Sequence, residues 1–226
     1  MLTDENLSFV SNTLTFWDKL NATEKNLIQN NIELVKYSQG YNLHSDKDCI
    51  GALMVKKGEL RVYMLSDDGR DITLYRLLSG DVCMLSASCI LKNITFEVHI
   101  DVESESEVFH INSIAYQQLM NSNIYVENFT NKIAVERFSD VMWAMEQILF
   151  MSFDKRLAIF LIDEMSKKNS ENILLTHEQI AKYIGSAREV VSRMLKHFSE
   201  EGIVELSRGG VKIIDKQKLK ALTIDR

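Results

Sequence analysis

The sequence predicts an α+β fold in three parts: a β-sandwich or barrel, a long helix, and a winged helix-turn-helix. Three observations predict it. Short apolar runs cut by glycine turns fill residues 32–111, and apolar residues return to helical spacing from residue 113. The chain then closes with two short amphipathic segments and a hairpin pattern. We therefore expect three parts of the chain, which comprise residues 1–112, 113–150 and 151–226.

Length and composition limit the class of protein. The chain has 226 residues, of which 46% are hydrophobic, which is enough for one large or two modest domains. It has no apolar run of membrane-spanning length, and its first ten residues lack the basic segment of a signal peptide. Three cysteines, at positions 49, 83 and 89, do not make a secreted disulfide framework. We expect a cytoplasmic protein without membrane contact.

The N-terminal half is predicted to be mostly strand. Residues 1–30 have helical spacing, with Asn21 to Glu24 as a helix start. After them, short alternating or apolar runs are separated by turn residues, a pattern typical of a sandwich or barrel. The predicted strands are residues 33–37, 52–56, 60–64, 72–77, 96–100 and 106–111.

The long helical segment carries an apolar seam. Its residues step by 4, 3, 4 and 3, which is the heptad spacing of a helix that packs against another helix. The same stripe is also what a helix packed on its own β-domain would show, so both interpretations stay open here. A hinge is predicted over residues 149–153, followed by a helix to Lys168. The seam residues are Ala134, Phe138, Val141, Met145 and Ile148.

The C-terminal segment has the signals of two short helices joined by a tight turn. Thr176 with Gln179 forms a predicted capping box, and Gly185 is suited to end that helix. Ser186 with Glu189 forms a second predicted capping box. A hairpin pattern after Gly202 completes a predicted winged helix-turn-helix, whose second helix enters the DNA major groove.

The polar face of the second helix has the chemistry to bind DNA. Arginine matches the two acceptors of guanine, glutamate accepts from cytosine, and hydroxyls at helix starts can meet phosphate. Residues 1–150 carry 12 basic against 21 acidic residues, a net charge of −9, whereas residues 151–226 carry 14 against 11, a net of +3. A merely solvated charged face is the alternative. The predicted DNA-binding residues are Thr176, Ser186, Arg188, Glu189, Ser192, Arg193 and Lys196.

These residues carry a family resemblance. The run from Leu175 to Leu206, and Arg-Glu-Val-Val-Ser-Arg at 188–193 above all, resembles the winged helix-turn-helix of the Crp/Fnr regulators. The order VKKGELRV, DDGR, LLSGD is similar to that family's cyclic-nucleotide-binding β-roll. The resemblance therefore implies that the predicted sandwich or barrel is a double-stranded β-helix or β-roll, which is jelly-roll-like. The resemblance implies a homodimeric transcription regulator that reads a palindrome in double-stranded DNA, with Arg188, Glu189 and Arg193 on base edges. It also implies RNA polymerase and a small-molecule effector as partners.

The sequence lacks the motifs of an enzyme, since it has no glycine-rich phosphate loop, no HExxH or CxxC motif and no nucleophile elbow. Two effectors of the resembled family fit poorly. Leu85 stands where cyclic-AMP-binding members have a glutamate, and Phe96-Glu97 stands near their Arg-Ser pair, so no cation meets the phosphate. An iron–sulfur cluster is excluded at its usual ligand count, because the chain has three cysteines and none before Cys49.

One further effector mode stays open. The segment from Cys83 to Cys89 resembles that of carbon-monoxide-sensing haem regulators, although Leu85 occupies the position of their histidine. Cys83 is thus a candidate haem ligand; a reversible Cys83–Cys89 disulfide and plain buried thiols are the rivals. The alternative function is a haem- or thiol-based redox or gas sensor whose DNA binding is weak or vestigial. The predicted effector pocket comprises Cys83, Met84, Leu85, Ser86, Cys89, Val141 and Met142.

Overall fold

The computed structural model describes residues 2–44, 51–67, 69, 71–84 and 98–224. Within these residues the fold is α+β, with antiparallel sheets, a long helix and a C-terminal helix-turn-helix, which confirms the predicted fold class. The chain divides into two compact units, residues 1–65 with 74–141 and residues 66–73 with 142–226. In the part of the chain that the structure describes, no helix is long and apolar enough to cross a membrane.

The N-terminal unit combines two four-stranded sheets with helices. Its elements are α1 (Asp4–Thr13), α2 (Ala22–Asn30), β1 (Ile32–Tyr37), β2 (Asn42–His44), β3 (Ala52–Lys57), β4 (Leu60–Leu65), β5 (Asp71–Leu77), β6 (Val82–Cys83), β7 (His99–Val102), β8 (Ser106–Ile111), α3 (Ser113–Ser122) and the start of α4 (Ile124–Phe150). One sheet has the strand order β1-β8-β3-β6 and the other β2-β7-β4-β5. The two sheets face each other across a shared core.

Strand β3 shows why the first sheet is buried on both sides. Its side chains alternate between the two faces. Leu53 and Val55 join the core between the sheets, whereas Ala52 and Met54 join a second core formed with α1, α2, α3 and α4. A strand buried on both faces needs a continuous apolar run rather than an alternating one, and the segment from Ala52 to Val55 is such a run.

Five of the six predicted strands are present with their ends within a residue of the prediction. The predicted strand 96–100 is observed from His99 onward, and residues 96 and 97 lie outside the described residues. Strands β2 and β6, with three and two residues, were not predicted, because so short a run shows no alternation. The predicted helical segment 113–150 is two helices, which break at Asn123.

The C-terminal unit is built around a helix-turn-helix with a small sheet. Its elements are α5 (Phe153–Lys168), β9 (Asn172–Ile173), α6 (His177–Ile184), α7 (Arg188–Glu200), β10 (Val204–Ser207), β11 (Gly210–Ile213) and α8 (Lys216–Ala221). The sheet order is β10-β11-β9, and β10 and β11 form the predicted wing hairpin. The apolar faces of α5, α6 and α7 meet in one core with Leu161, Ile180 and Leu195 fully buried.

A charged network stabilises the second sheet of the N-terminal unit. The side chain of Arg61 is fully buried; its guanidinium lies 3.7 Å from a carboxylate oxygen of Asp101 and 4.2 Å from the ring centre of Tyr63. The same carboxylate accepts hydrogen bonds from the hydroxyl of Tyr63 at 3.2 Å and the amide of Asn42 at 2.9 Å. Asp101 on β7 therefore compensates a buried cation and two donors on the two strands beside it, β2 and β4.

We predict that Asp101→Asn destabilises the N-terminal unit by about 2 kcal/mol or more, because it removes the charge that compensates buried Arg61. The measurement is the midpoint of urea unfolding, which is monitored by the fluorescence emission of the buried Trp17 in a Trp143→Phe background. Glu33→Gln, which neutralises an exposed carboxylate on β1, is the control and should leave the midpoint almost unchanged. Equal midpoints for the two variants would contradict this account of the network.

Candidate nucleic-acid interface

Helix α6 begins and ends as the sequence predicts. The Thr176 hydroxyl accepts from the N–H of Gln179 at 3.2 Å, and the Gln179 side chain accepts from the N–H of Thr176 at 2.9 Å, so the capping box is present. Gly185 ends the helix in the left-handed region with φ +60°. A glycine is suited there because it has no Cβ to clash. This turn sets the direction in which α7 leaves.

The start of α7 differs from the prediction. Ala187, not Ser186, is its N-cap, and no side chain caps the helix, so the predicted Ser186–Glu189 capping box is wrong. The reason is that Ser186 still belongs to the end of α6, where its N–H donates to the carbonyl of Ala181 at 2.9 Å. The first-turn N–H groups of Arg188 and Glu189 precede the helical hydrogen-bond ladder, so they can donate to an external acceptor.

The predicted contact residues of α7 share one face of the helix. Arg188, Glu189, Arg193 and Lys196 are exposed and Ser192 is partly exposed. The opposite face, with Val191, Leu195 and Phe198, is buried in the core of the unit. Thr176 lies apart from them, at the start of α6, and Ser186 lies in the turn.

Two residues of α6 influence Arg188. The carboxylate of Glu178 lies 3.9 Å from the guanidinium of Arg188, and both side chains are mostly exposed, so this pair is weak and easily exchanged for another anion. Partial burial and, next, repulsion from Arg188 lower the pKa of His177. His177 is therefore neutral near pH 7, and it adds no positive charge beside Arg188.

Sequence reasoning missed two further arginines of this unit. Arg208 is exposed in the turn of the wing, between Ser207 and Gly210, where it extends the basic surface. Arg156 of α5 donates to the carbonyl of Ile184, the last residue of α6, and burial lowers its pKa. Arg156 therefore stabilises the turn between α6 and α7, which sets the orientation of α7. The wing pattern pointed to Arg208, whereas no sequence signal pointed to Arg156.

Helix α4 exposes an apolar seam. Five exposed apolar residues on this helix are spaced 3, 4, 3 and 4 positions apart in the sequence, and they are 46% to 67% exposed. Of the predicted seam, Phe138 and Met145 belong to this face, while Ala134 and Val141 are partly buried and Val141 packs against the core between the sheets. Ile148 is at the border, 37% exposed. The exposed seam consists of Val135, Phe138, Met142, Met145 and Leu149.

The predicted effector pocket is only partly described. Leu85, Ser86 and Cys89 lie outside the described residues, as do Cys49, Phe96 and Glu97. Cys83 and Val141 share the core between the sheets, whereas Met84 belongs to the helical core and Met142 is exposed. Among the described residues, no cluster of three His, Cys, Asp or Glu side chains is arranged to hold a metal ion.

Two residues that sequence reasoning missed lie beside Cys83. The hydroxyl of buried Tyr75 is 3.9 Å from the Cys83 Sγ, and the guanidinium of Arg137 on α4 lies 4.9 Å from the Tyr75 ring centre. Burial raises the pKa of Tyr75. Burial opposes the charge of Arg137, but a hydrogen bond to Asp140, with the charges of Asp140 and Asp81, raises its pKa overall. Arg137 is therefore charged throughout the range in which the protein is folded.

Comparison with known proteins agrees with these features. Residues 155–222 match the Crp-like helix-turn-helix domain. Over the whole chain, a crystal structure of a transcriptional regulator of the Crp/Fnr family from Eubacterium rectale is similar, with 45% identity, a TM-score of 0.88, and coverage of 94% of this chain and 99% of that one.

Two curated regulators are more distant relatives. The cAMP-activated global transcriptional regulator Vfr of Pseudomonas aeruginosa is 21% identical, over 73% of this chain and 80% of its own length. The nitrogen fixation regulation protein FixK of Bradyrhizobium diazoefficiens is 21% identical, over 83% of this chain and 81% of its own length. The near-complete match at 45% identity, together with the matching helix-turn-helix domain, establishes that this chain belongs to the Crp/Fnr family of DNA-binding transcription regulators, which are not enzymes.

Proposed function

We propose that this Crp/Fnr regulator binds a palindromic operator as a homodimer and reads it with the polar face of α7. The observation that supports this most directly is the two-sided character of α7: its apolar face is buried and Arg188, Glu189 and Arg193 stand together on the exposed one. Arg188 and Arg193 would donate to guanine O6 and N7, and Glu189 would accept from cytosine N4. We further propose Lys196, Ser192, Thr176 and Ser186 as phosphate contacts.

The start of α7 has features that favour binding of a DNA phosphate. The helix has 13 residues and no side-chain cap, so its first N–H groups and the positive end of its dipole are open to an anion. Glu178 is the anion nearest to Arg188 in the protein alone, and their exposed ion pair costs little to break. A DNA phosphate or base can therefore replace Glu178.

The exposed seam of α4 supports the homodimer. Five apolar side chains in heptad spacing form a stripe of the kind that soluble proteins bury against a partner. A second copy offers the same stripe, and a two-fold axis between the copies would place two α7 helices about one DNA turn apart. We accordingly propose three functional parts, an effector domain at 1–112, a dimerisation helix and hinge at 113–150, and a DNA-binding domain at 151–226.

We propose that the effector domain does not respond to cyclic AMP. The sequence places Leu85 and Phe96-Glu97 where phosphate-binding residues are expected by the family pattern, and these positions lie outside the described residues. The effector is thus a different small molecule, acting from the β-roll on the DNA-binding domain, with RNA polymerase as the further partner at the promoter.

For the alternative sensor function the structure describes one of the three thiols, that of Cys83, because Cys49 and Cys89 lie outside the described residues. The Cys83 thiol is fully buried on β6, opposite Leu53 and against Tyr75. Haem or disulfide chemistry at Cys83 would have to open this core. A Soret band in protein from haem-supplemented cells, lost in Cys83→Ala, would favour the alternative.

We predict that Arg193→Ala weakens specific binding by about 1–3 kcal/mol per half-site, because each half-site loses one bidentate contact. The measurement is fluorescence anisotropy, at fixed salt, with a duplex selected by the protein from a random library and with an unrelated duplex. Lys168→Ala removes an exposed cation at the end of α5 and is the control, for which the ratio of specific to non-specific affinity should not change. Equal ratios for both variants would refute the assignment of Arg193.

We predict that Phe138→Glu converts the dimer to a monomer, because it places a charge in the centre of an apolar interface. Sedimentation velocity measures the change, and operator affinity should fall with it. Ser139→Glu adds the same charge one residue away, at an exposed position off the seam, and should leave the dimer intact. A Phe138→Glu protein that sediments as a dimer would rule out this seam as the interface.

A further inference from the structure

Helix α4 contacts its own unit through a stripe opposite the exposed seam. Val126 and Thr130 are fully buried there, and Ile133 packs against the same helical core. The stripe continues with Arg137 and Val141, at steps of four residues. Arg137 is therefore a cation in the inward-facing stripe of the helix, with a side chain only 13% exposed.

Arg137 joins three elements of the N-terminal unit. Its guanidinium donates to Asp140 on α4 at 2.8 Å and lies 3.6 Å from a carboxylate oxygen of Asp81, in the turn before β6. Its face lies over the ring of Tyr75 on β5. Asp81 in turn accepts from the N–H of Leu78 at 2.8 Å, so the carboxylate is fixed within its turn.

This cluster lies where the family pattern puts an effector. Asp81 belongs to the Gly-Asp turn that precedes the predicted pocket segment, and Tyr75 contacts Cys83, the first residue of that predicted pocket. Val141, another predicted pocket residue, is one helical turn beyond Arg137 and packs against the core that contains Tyr75 and Cys83. Among the described residues, the cluster thus lies beside two members of the predicted pocket, Cys83 and Val141.

The charges of the cluster disfavour an anion. Its guanidinium already faces two carboxylates, so the three groups together carry a net charge of −1. A phosphate would have to displace an aspartate from Arg137 and then remain close to it. Like charges at such distances repel each other, so the two carboxylates oppose the binding of a phosphate here.

We propose that Arg137 acts as a built-in ligand: with Tyr75 and Asp81 it holds α4 on the β-roll without any anionic effector, and the site rejects cyclic nucleotides. Operator binding is then intrinsic to the folded dimer, and a regulating effector is uncharged or cationic. This inference rests on the proposed DNA-binding function. It makes Arg137 a positioning residue, which acts on DNA through the placement of α4.

The first experiment measures operator affinity of the full-length protein with and without cyclic AMP. The wild type should bind the selected duplex equally well in both conditions, and calorimetry should detect no binding of cyclic AMP. Arg137→Gln should lose about tenfold in operator affinity, the size of a typical coupling between sites. Lys132→Gln removes an exposed cation from the same helix and should stay within about twofold.

A second readout reports on α4 independently of DNA. Trp143 is the only tryptophan of α4 and is 45% exposed, so its emission in a Trp17→Phe background follows the environment of that helix. Arg137→Gln should shift this emission while far-UV circular dichroism retains a cooperative transition, and Lys132→Gln should not. If Arg137→Gln fails to fold, Asp140→Asn, at a partly exposed partner, replaces it and should shift the emission in the same direction.

Three results would overturn the inference: wild-type operator affinity that rises with cyclic AMP, calorimetric binding of cyclic AMP, or an Arg137→Gln protein equal to wild type in affinity and in Trp143 emission. If the wild type selects no duplex, the proposed DNA-reading function fails instead. In that case Trp143 emission and calorimetry still decide the role of Arg137.

Discussion

Helix α4, which has 27 residues, carries one stripe that packs on the N-terminal unit and another that is exposed to solvent. The rest of the structure depends on this two-sided helix. Its inner stripe provides apolar groups, the cation of Arg137 and one hydroxyl to the N-terminal unit, where the hydroxyls of Thr130 and Tyr116 are hydrogen-bonded at 2.8 Å. Its outer stripe leaves large apolar side chains in water. Burying both stripes at once requires a second surface, which a second copy of the chain would supply in the proposed dimer.

Helix α7 is also buried on one face and exposed on the other, but its exposed face is polar rather than apolar. There the apolar face fixes the helix in its own domain, and the opposite face exposes arginine and glutamate side chains to solvent. Arg156 and Gly185 define the turn before α7, one by holding the final carbonyl of α6 and the other by its left-handed backbone. Rigid placement of α7 matters because bidentate contacts to bases tolerate little error in position.

Much of this could be predicted from the sequence because periodicity and caps are local. The helix-turn-helix, the wing and five strands follow from spacings of two to four residues. The Ser186–Glu189 pattern gave a wrong prediction because a capping box also requires a free backbone N–H on the serine. Here the N–H of Ser186 already donates to the carbonyl of Ala181 in the preceding helix. The Arg137 cluster was invisible because Tyr75, Asp81 and Arg137 are brought together only by the fold. The exposed seam differs from the predicted one by one residue at Ala134, Val141 and Ile148, since spacing alone cannot tell an inward from an outward stripe.

The measurement that tests the central claim most directly is a hydroxyl-radical footprint of the wild-type protein on its selected duplex. A dimer that reads DNA with two α7 helices should protect the backbone that flanks two major-groove segments centred about 10 base pairs apart, with protection symmetric about the midpoint. A single asymmetric protected segment, or uniform protection that follows only the salt concentration, would contradict it.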